Sequence, residues 1–340
     1  MSDRIRVALA LGGGGARGYA HIGVIQALEE RGCDIVGVSG TSMGALVGGL
    51  HAAGRLPPYA EWIRGLSQRD VIRLLDPSLR TPGVIRGSKV MARVIDLLAG
   101  VRIEDLPVPF TAVATDLLAR KEVWFQRGPV EVAIRASIAL PSVFTPVMLN
   151  GRLLADGGMM NPIPLAPLAA IRADATVAVS LSGVADAVPG RSPAQESSEP
   201  LPPTEWQARF RSSAAQLLDR EAVRRVTGWF GSGRGDGAAA VAEELDVEAP
   251  EDVLAALPTG LGTLDVMELS LDALQSVVTR YRLASYPPDL LISIPKHACR
   301  TLDFHRGAEM MELGRKLADE ALDRAPLTGG RQAGVGLPAE

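Results

Sequence analysis

The chain has 340 residues, of which 47% are hydrophobic and 22% are charged, and its formal net charge is −4. This composition is that of an ordinary globular protein, and the lack of a lysine- or arginine-rich run argues against a nucleic-acid partner. Two cysteines, Cys33 and Cys299, are too few for a disulfide framework, and neither has a partner at metal-ligand spacing. We therefore expect reduced thiols and no metal site.

The amino-terminal apolar run "IRVALAL" (5–11) is short and ends at glycines. This pattern predicts a buried strand and not a signal peptide. No stretch reaches the roughly 18 apolar residues that are needed to span a bilayer. The expected location is the cytoplasm, with peripheral contact at the inner face of the membrane left open.

The first half of the chain alternates between predicted strands and predicted helices. A strand over 5–11 precedes a helix over 18–32, and a strand over 34–40 precedes a helix over 43–54. This order begins a doubly wound, mainly parallel sheet. The later predicted elements are helices over 59–66, 87–100 and 129–140, strands over 109–117, 121–126 and 174–182, and a hairpin over 147–158 that turns at Asn150-Gly151.

The composition changes after residue 183. Residues 184–204 are rich in proline and serine, as in a flexible linker. Helical spacing returns over 205–230 and 263–285, and a strand over 288–295 and a helix over 305–325 follow. The predicted organisation is a catalytic α/β domain over 5–183, a linker with a helical insertion over 184–285, a strand and helix over 286–325 that complete the core, and a tail over 326–340 that is disordered by composition.

The first predicted strand runs into "GGGGARG", which fits G-x-G-x-x-G between a strand and a helix. That is the setting of a dinucleotide fingerprint, but the fingerprint also needs an acid at the end of the second strand. The nearest acid, Asp34, begins that strand instead. A phosphate-binding P-loop fits less well, because no Gly-Lys-Ser/Thr closes the turn. A turn that merely packs tightly is the plainer alternative.

The second turn, Gly40-Thr41-Ser42-Met43-Gly44, fits G-x-S-x-G between a predicted strand and a predicted helix. Such a turn lifts the serine hydroxyl clear of the sheet, near the positive end of the helix. If neighbouring strands carry both turns, the N–H groups of Gly13, Gly14 and Gly15 face Ser42. We therefore predict an oxyanion hole there, with the helix that starts near Arg17 adding to the positive end.

A serine nucleophile needs a base. The chain order Ser42, Asp156 and then His297 or His305 would suit an α/β-hydrolase triad. In that fold, however, several strands precede the serine, whereas here it follows only the second predicted strand. For each histidine, a packed or surface role is the more ordinary interpretation. "LADGG" favours Asp156 itself, because Gly157 and Gly158 permit an unusual backbone path that turns the carboxylate toward a site. An ordinary Asp-Gly turn is the alternative.

Taken together, "GGGGARG", "GTSMG", "ASIALPSVFTPV" (136–147) and "DGG" resemble the patatin-like phospholipase family over about residues 5–182. The segment "PPDLLISIPKHACRTLDFHRGAEMMELG" is similar to bacterial members related to neuropathy target esterase. The resemblance implies a three-layer α/β/α fold, lipid acyl-ester substrates, and neither metal nor cofactor. It also implies a Ser42–Asp156 dyad, an oxyanion hole from Gly13, Gly14 and Gly15, and supporting motif positions at Arg17, Gly18, Gly40, Gly44, Gly157 and Gly158.

Two other functions stay open at this point. One is a nucleotide-dependent enzyme or sensor that uses the first glycine turn. The other is a catalytically silent, membrane-associated regulator, although the presence of both Ser42 and Asp156 counts against it. Residues 206–230 combine aromatic and leucine side chains with arginines, as in an interfacial helix or a lid. A helix packed on the core or on another subunit of a homo-oligomer is the commoner explanation.

Overall fold

The computed structural model describes residues 4–75, 88–141, 143–183 and 263–327. The predicted linker, the predicted helix over 205–230 and the tail from residue 328 lie outside the described residues. The described residues divide into two compact units. One contains the chain through Gly183 and from Leu271 onward, and the other is represented here by 263–270.

The first unit is built on a sheet whose strands in chain order are β1 to β8. Their order across the sheet is β5-β6-β3-β2-β1-β7-β8, with β4 also paired to β3. The pairs among β1, β2, β3, β7 and β8 are parallel, whereas β4, β5 and β6 form antiparallel pairs. The bounds are β1 Arg6–Leu11, β2 Asp34–Thr41, β3 Phe110–Asp116, β4 Lys121–Phe125, β5 Val147–Leu149, β6 Arg152–Asp156, β7 Ala175–Gly183 and β8 Leu290–Pro295.

The α-helices of the described residues are labelled α1 to α8 in chain order. Within the described residues, none combines the length and the hydropathy that crossing a bilayer requires. Short 3-10 turns lie between the helices, notably at Gly15–Tyr19 and Gly157–Met159. The bounds are α1 Ala20–Glu30, α2 Met43–Ala52, α3 Leu56–Arg64, α4 Gln68–Leu75, α5 Ser88–Leu98, α6 Val130–Ser137, α7 Thr263–Ser285 and α8 Gly307–Arg324.

Both faces of the central strand β1 are buried, which explains why its sequence is continuously apolar. Val7, Leu9 and Leu11 join a large core with the helices α1, α2 and α8. Ala8 and Ala10 face a second, smaller core that is closed by residues 163–168 and by Leu283 of α7. The result is a three-layer α/β/α fold with a mainly parallel sheet, as predicted.

Element boundaries differ from the sequence expectations at a few places. The hairpin turn is confirmed, since Asn150 and Gly151 have φ values of 49° and 75°. The helix expected from residue 18 begins at Ala20, after the 3-10 turn. α4 was not expected, because this helix is only eight residues long and half of its residues are polar.

The topology places the predicted site at one edge of the sheet. Because β1 and β2 are parallel, both glycine turns follow the carboxyl ends of neighbouring strands. Thr41, the last residue of β2, pairs with Val113 of β3. The antiparallel strand β6 ends beside the same point, since Asp156 pairs with Ala114.

Candidate active site

Ser42 lies at a sharp turn between β2 and α2. It caps the helix with φ 55° and ψ −121°, a backbone conformation that is costly for any residue other than glycine. The turn is tight because a Cβ atom at Gly40 would overlap the carbonyl of Gly44. A Cβ at Gly44 would in turn overlap the carbonyl of Leu11. The two flanking glycines therefore allow strand and helix to approach and lift the serine out of the sheet.

The strained turn is held by Ser137, the last residue of α6. The Ser42 N–H donates to Ser137 Oγ at 2.9 Å, and Ser137 Oγ donates to the Val113 carbonyl at 2.6 Å. Ser137 is completely buried. Our sequence reasoning did not single out this residue, and its only signal was its place in the segment 136–147.

The carboxylate of Asp156 meets the hydroxyl of Ser42. The Ser42 hydroxyl lies close enough to the Asp156 carboxyl to lower its pKa as a hydrogen-bond partner, and the Gly158 N–H donates to Asp156 Oδ1 at 2.7 Å. The backbone of Asp156 is fixed as well, because its N–H donates to the Ala139 carbonyl and its carbonyl accepts from Thr115 Oγ1, each at 2.9 Å. Two groups that are far apart in sequence are thus held in contact.

Burial changes the acidity of this carboxyl group. Only 3% of Asp156 is exposed, and desolvation raises its pKa from 3.8 to about 6. The hydrogen bonds from the Ser42 hydroxyl and the Gly158 N–H act in the opposite direction and are the smaller effect. At neutral pH the group is ionised, yet it accepts a proton more readily than an exposed aspartate does.

The two glycines after Asp156 are required by close contacts. A Cβ at Gly157 would overlap the Val113 carbonyl, and a Cβ at Gly158 would lie 3.0 Å from Asp156 Oδ1. These positions therefore let the 3-10 turn fold back so that its own amide binds the carboxylate.

The first glycine turn lies alongside Ser42, and its Gly13 amide is already hydrogen-bonded. The Gly13 N–H donates to the Pro162 carbonyl at 3.0 Å, and an oxyanion role for Gly13 stays a prediction. A Cβ at Gly13 would lie 3.4 Å from the Cβ of Ser42. Gly13 therefore leaves room beside the nucleophile.

The next two amides of the turn could donate to an oxyanion. Among the described residues, the N–H groups of Gly14 and Gly15 donate to no partner. Gly15 has φ 58° and borders the cleft described below. Met43, the first residue of α2, also lines the cleft, at a helix position whose N–H has no intrahelical acceptor.

The Arg17 side chain ties the first glycine turn to distant parts of the fold. Its side chain is buried, and Nε donates to the Leu181 carbonyl at 3.1 Å. Nη1 donates to the carbonyls of Cys299 and Lys296 at 3.0 and 3.3 Å. The guanidinium thus joins the turn to the end of β7 and to the chain after β8. Gly18, the last motif position, packs against Met43, where a Cβ would not fit.

Two of the four histidines are packed into the fold: His21 is buried and His51 is half-buried. His21 Nε2 donates to the Gly12 carbonyl at 2.8 Å, and burial lowers the pKa of His21 to about 4. Burial also lowers the pKa of His51 to about 4, and its Nδ1 lies 3.7 Å from Glu29 Oε1. Both rings are neutral at physiological pH and serve as packed side chains.

The other two histidines follow β8. His297 lies in the 3-10 turn Lys296–Ala298, and His305 lies in the turn Phe304–Arg306. Within the described part of the chain, no histidine hydrogen-bonds to Ser42 or Asp156. In the described residues, Asp156 is therefore the titratable group that meets the Ser42 hydroxyl.

Ser42 opens onto an apolar cleft. The cleft encloses about 780 Å³, including open solvent at its mouth, and its walls come from α2 to α5, from residues 138–144 and from residues 301–304. Large side chains dominate the lining, among them Leu46, Tyr59, Trp62, Leu66, Met91, Ile138, Leu140, Val143, Phe144 and Phe304. Within the described ranges, no group of three or more His, Cys, Asp or Glu side chains could hold a metal ion. The cleft suits a hydrocarbon chain that ends at the serine hydroxyl.

Comparison with known proteins finds a matching family model and several similar proteins. The family model described as "Patatin-like phospholipase" matches residues 9–169. An uncharacterized NTE family protein of Mycobacterium tuberculosis strain H37Rv is 50% identical over 342 residues, covering 95% of this chain and 92% of that protein. The protein named lysophospholipase nte1 of Emericella nidulans is 33% identical over 187 residues, covering 54% of this chain and 12% of that protein. Among solved structures, VipD from Legionella pneumophila aligns with a TM-score of 0.43 at 14% identity, covering 95% of this chain and 67% of that one.

Proposed function

The chain belongs to the NTE family of patatin-like lipid acyl hydrolases, and from that premise we propose that it cleaves acyl esters with Ser42 as nucleophile and Asp156 as general base. The observation that carries this proposal is the juxtaposition of Ser42 and the buried Asp156: Thr41 pairs with Val113, Asp156 pairs with the next residue of β3, and the Ser42 hydroxyl lowers the pKa of the Asp156 carboxyl. The apolar cleft that opens at Ser42 supports it further.

The first half-reaction forms an acyl-enzyme. As Ser42 Oγ attacks the ester carbonyl carbon, Asp156 takes the hydroxyl proton, and the carbonyl oxygen becomes an oxyanion. The amides of Gly14, Gly15 and Met43 are the donors that we assign to this oxyanion, each worth roughly 10²–10³ in rate. When the intermediate collapses, Asp156 gives the proton to the departing alcohol oxygen and the acyl group stays on Ser42.

The second half-reaction releases the acid. Asp156 takes a proton from water, and the hydroxide attacks the acyl carbon to form a second tetrahedral intermediate on the same donors. Its collapse breaks the bond to Ser42 Oγ, which regains the proton from Asp156. The net reaction consumes one ester and one water and yields one carboxylic acid and one alcohol.

The geometry and the pKa of Asp156 support this assignment. A carboxylate with a pKa of about 6 is a stronger base than an exposed aspartate and is still ionised at neutral pH. The Gly158 amide fixes the orientation of the carboxylate, so the proton acceptor is already aligned before substrate binds.

The test is turnover across ester chain lengths and headgroups, using the full chain and Ser42→Ala as the blank. Esters of a common chromogenic alcohol with lengthening acyl chains report on the cleft, and phospholipid, lysophospholipid and triglyceride substrates report on the headgroup. We expect turnover that increases with chain length and is absent in Ser42→Ala. Equal turnover in Ser42→Ala would contradict the proposal. Saturable NAD or ATP binding without any ester turnover would favour the nucleotide alternative.

A further inference from the structure

We propose that two adjacent turns beyond the carboxyl end of β3 form a surface that docks on an anionic lipid bilayer. This docking surface consists of residues 117–121, between β3 and β4, and residues 148–153, at the β5–β6 hairpin. The inference rests on the proposed function, because it supplies the route by which a lipid ester reaches Ser42.

The two turns are neighbours across the end of β3. Asp116, the last residue of β3, pairs with Lys121 of β4 on one side and with Leu154 of β6 on the other. The Leu117 N–H donates to the Leu153 carbonyl at 2.9 Å. The turns therefore form one continuous surface.

That surface lies beyond the catalytic pair on the same edge of the sheet. Thr41, which precedes Ser42, pairs with Val113, and Asp156 pairs with Ala114. Asp116 is two residues further along β3, which is about 7 Å at the usual rise of a strand. The turns thus extend past the level at which the ester would be cleaved.

The chemistry of the surface is apolar and basic. Leu118 and Met148 are 68% and 64% exposed, which places them among the most exposed large apolar side chains of the described residues. The charged residues of the two turns are Arg120, Lys121 and Arg152, all exposed and all positive. Asp116 is buried beneath the turns, where it accepts from the Leu118 and Ala119 N–H groups and lies 4.0 Å from Arg152 Nε, so Arg120 and Lys121 carry most of the unpaired positive charge. The surface of an anionic bilayer complements both features. Apolar side chains enter its acyl region, and basic side chains bind its phosphate headgroups.

The docking surface is close along the chain to one wall of the cleft. Phe144 lines the cleft and precedes Met148 by four residues, a chain distance of at most about 14 Å. Leu140 and Val143 line the same wall. Docking would therefore place the cleft mouth at the bilayer, so that an acyl chain enters without crossing water.

The experiment is cosedimentation of the full chain with phosphatidylcholine vesicles that contain or lack phosphatidylserine. One variant pairs Leu118→Asp with Met148→Asp, and a second pairs Arg120→Gln with Arg152→Gln. Ile95→Asp is the matched control, since Ile95 is 46% exposed on α5, which belongs to neither turn. Urea unfolding verifies that each variant is folded.

We expect the wild-type chain and Ile95→Asp to bind the anionic vesicles, with binding that weakens as salt is raised. Both double variants should lose at least about tenfold in affinity while keeping their turnover of a soluble short-chain ester. Unchanged vesicle binding in both double variants, or no binding by the wild-type chain, would overturn the proposal. Binding of the wild-type chain to an acidic protein but not to the vesicles would also overturn the proposal. Because sedimentation needs no turnover, Ser42→Ala separates a failure of docking from a failure of the proposed hydrolase.

Discussion

Replacing Asp156 with Asn should increase the free energy of unfolding relative to the wild type, and this gain should grow as the pH rises. A buried carboxyl whose folded pKa is raised favours folding at low pH, and this contribution is lost as pH rises from its unfolded pKa through its folded pKa. For Asp156 that window runs from 3.8 to about 6. Asn has nearly the same shape and retains an acceptor for the Gly158 N–H, but it carries no charge to desolvate.

The magnitude follows from the size of the shift. Two pKa units at about 1.4 kcal/mol each give about 3 kcal/mol as the cost of holding the Asp156 carboxylate ionised in the folded state. The free energy of unfolding of Asp156→Asn should therefore gain about 3 kcal/mol on the wild type at pH 8. At pH 5, where the folded carboxyl is largely protonated, the same gain should fall to roughly 1.5 kcal/mol.

Urea unfolding at pH 5 and pH 8 measures both values, with Asp34→Asn, an exposed residue of β2, as the control for removing a carboxylate. A gain from Asp156→Asn that stays constant with pH would refute the reasoning. It would mean that the carboxyl titrates alike in the folded and unfolded chains, so that burial does not increase its basicity.

Three further substitutions probe the groups around the site, each by urea unfolding. Ser137→Ala removes the acceptor of the Ser42 N–H and should cost about 2 kcal/mol and slow ester turnover; unchanged stability and turnover would contradict that role. Arg17→Met leaves three carbonyls without their donor and should cost about 3 kcal/mol, and a loss below 1 kcal/mol would be too small for this network. Arg282→Met breaks a half-buried ion pair with Glu122 (3.2 Å) and should lower the free energy of unfolding by about 1 kcal/mol or less. Adding Glu122→Gln to that variant should then cost little more. Fully additive losses of stability would show that the two side chains do not interact.

Much of the site could be predicted from local sequence. Gly40 and Gly44 flank Ser42 because the turn tolerates no Cβ there, and this steric demand is visible as G-x-S-x-G. The alternation of strands and helices predicts parallel neighbours, so both glycine turns were expected at one edge. The pair of glycines after Asp156 similarly marks a backbone that turns back on its own carboxylate.

The remaining features depend on contacts between distant parts of the chain. Gly13 donates to Pro162, 149 residues away, and nothing in the glycine run distinguishes this amide from its neighbours. Arg17 donates to carbonyls of the chain after β8, about 280 positions later, and nothing in the glycine turn names these partners. Ser137 holds the nucleophile's amide from a helix nearly a hundred positions later. No local pattern encodes such partners.

The central claim is that Asp156 activates Ser42 directly, and fluorophosphonate labelling with mass spectrometry tests it. The account predicts one adduct, on the peptide that contains Ser42, in the wild-type chain. It predicts no adduct in Ser42→Ala, and none in Asp156→Asn although that variant is folded. Full labelling of Asp156→Asn, or an adduct on another residue, would contradict it.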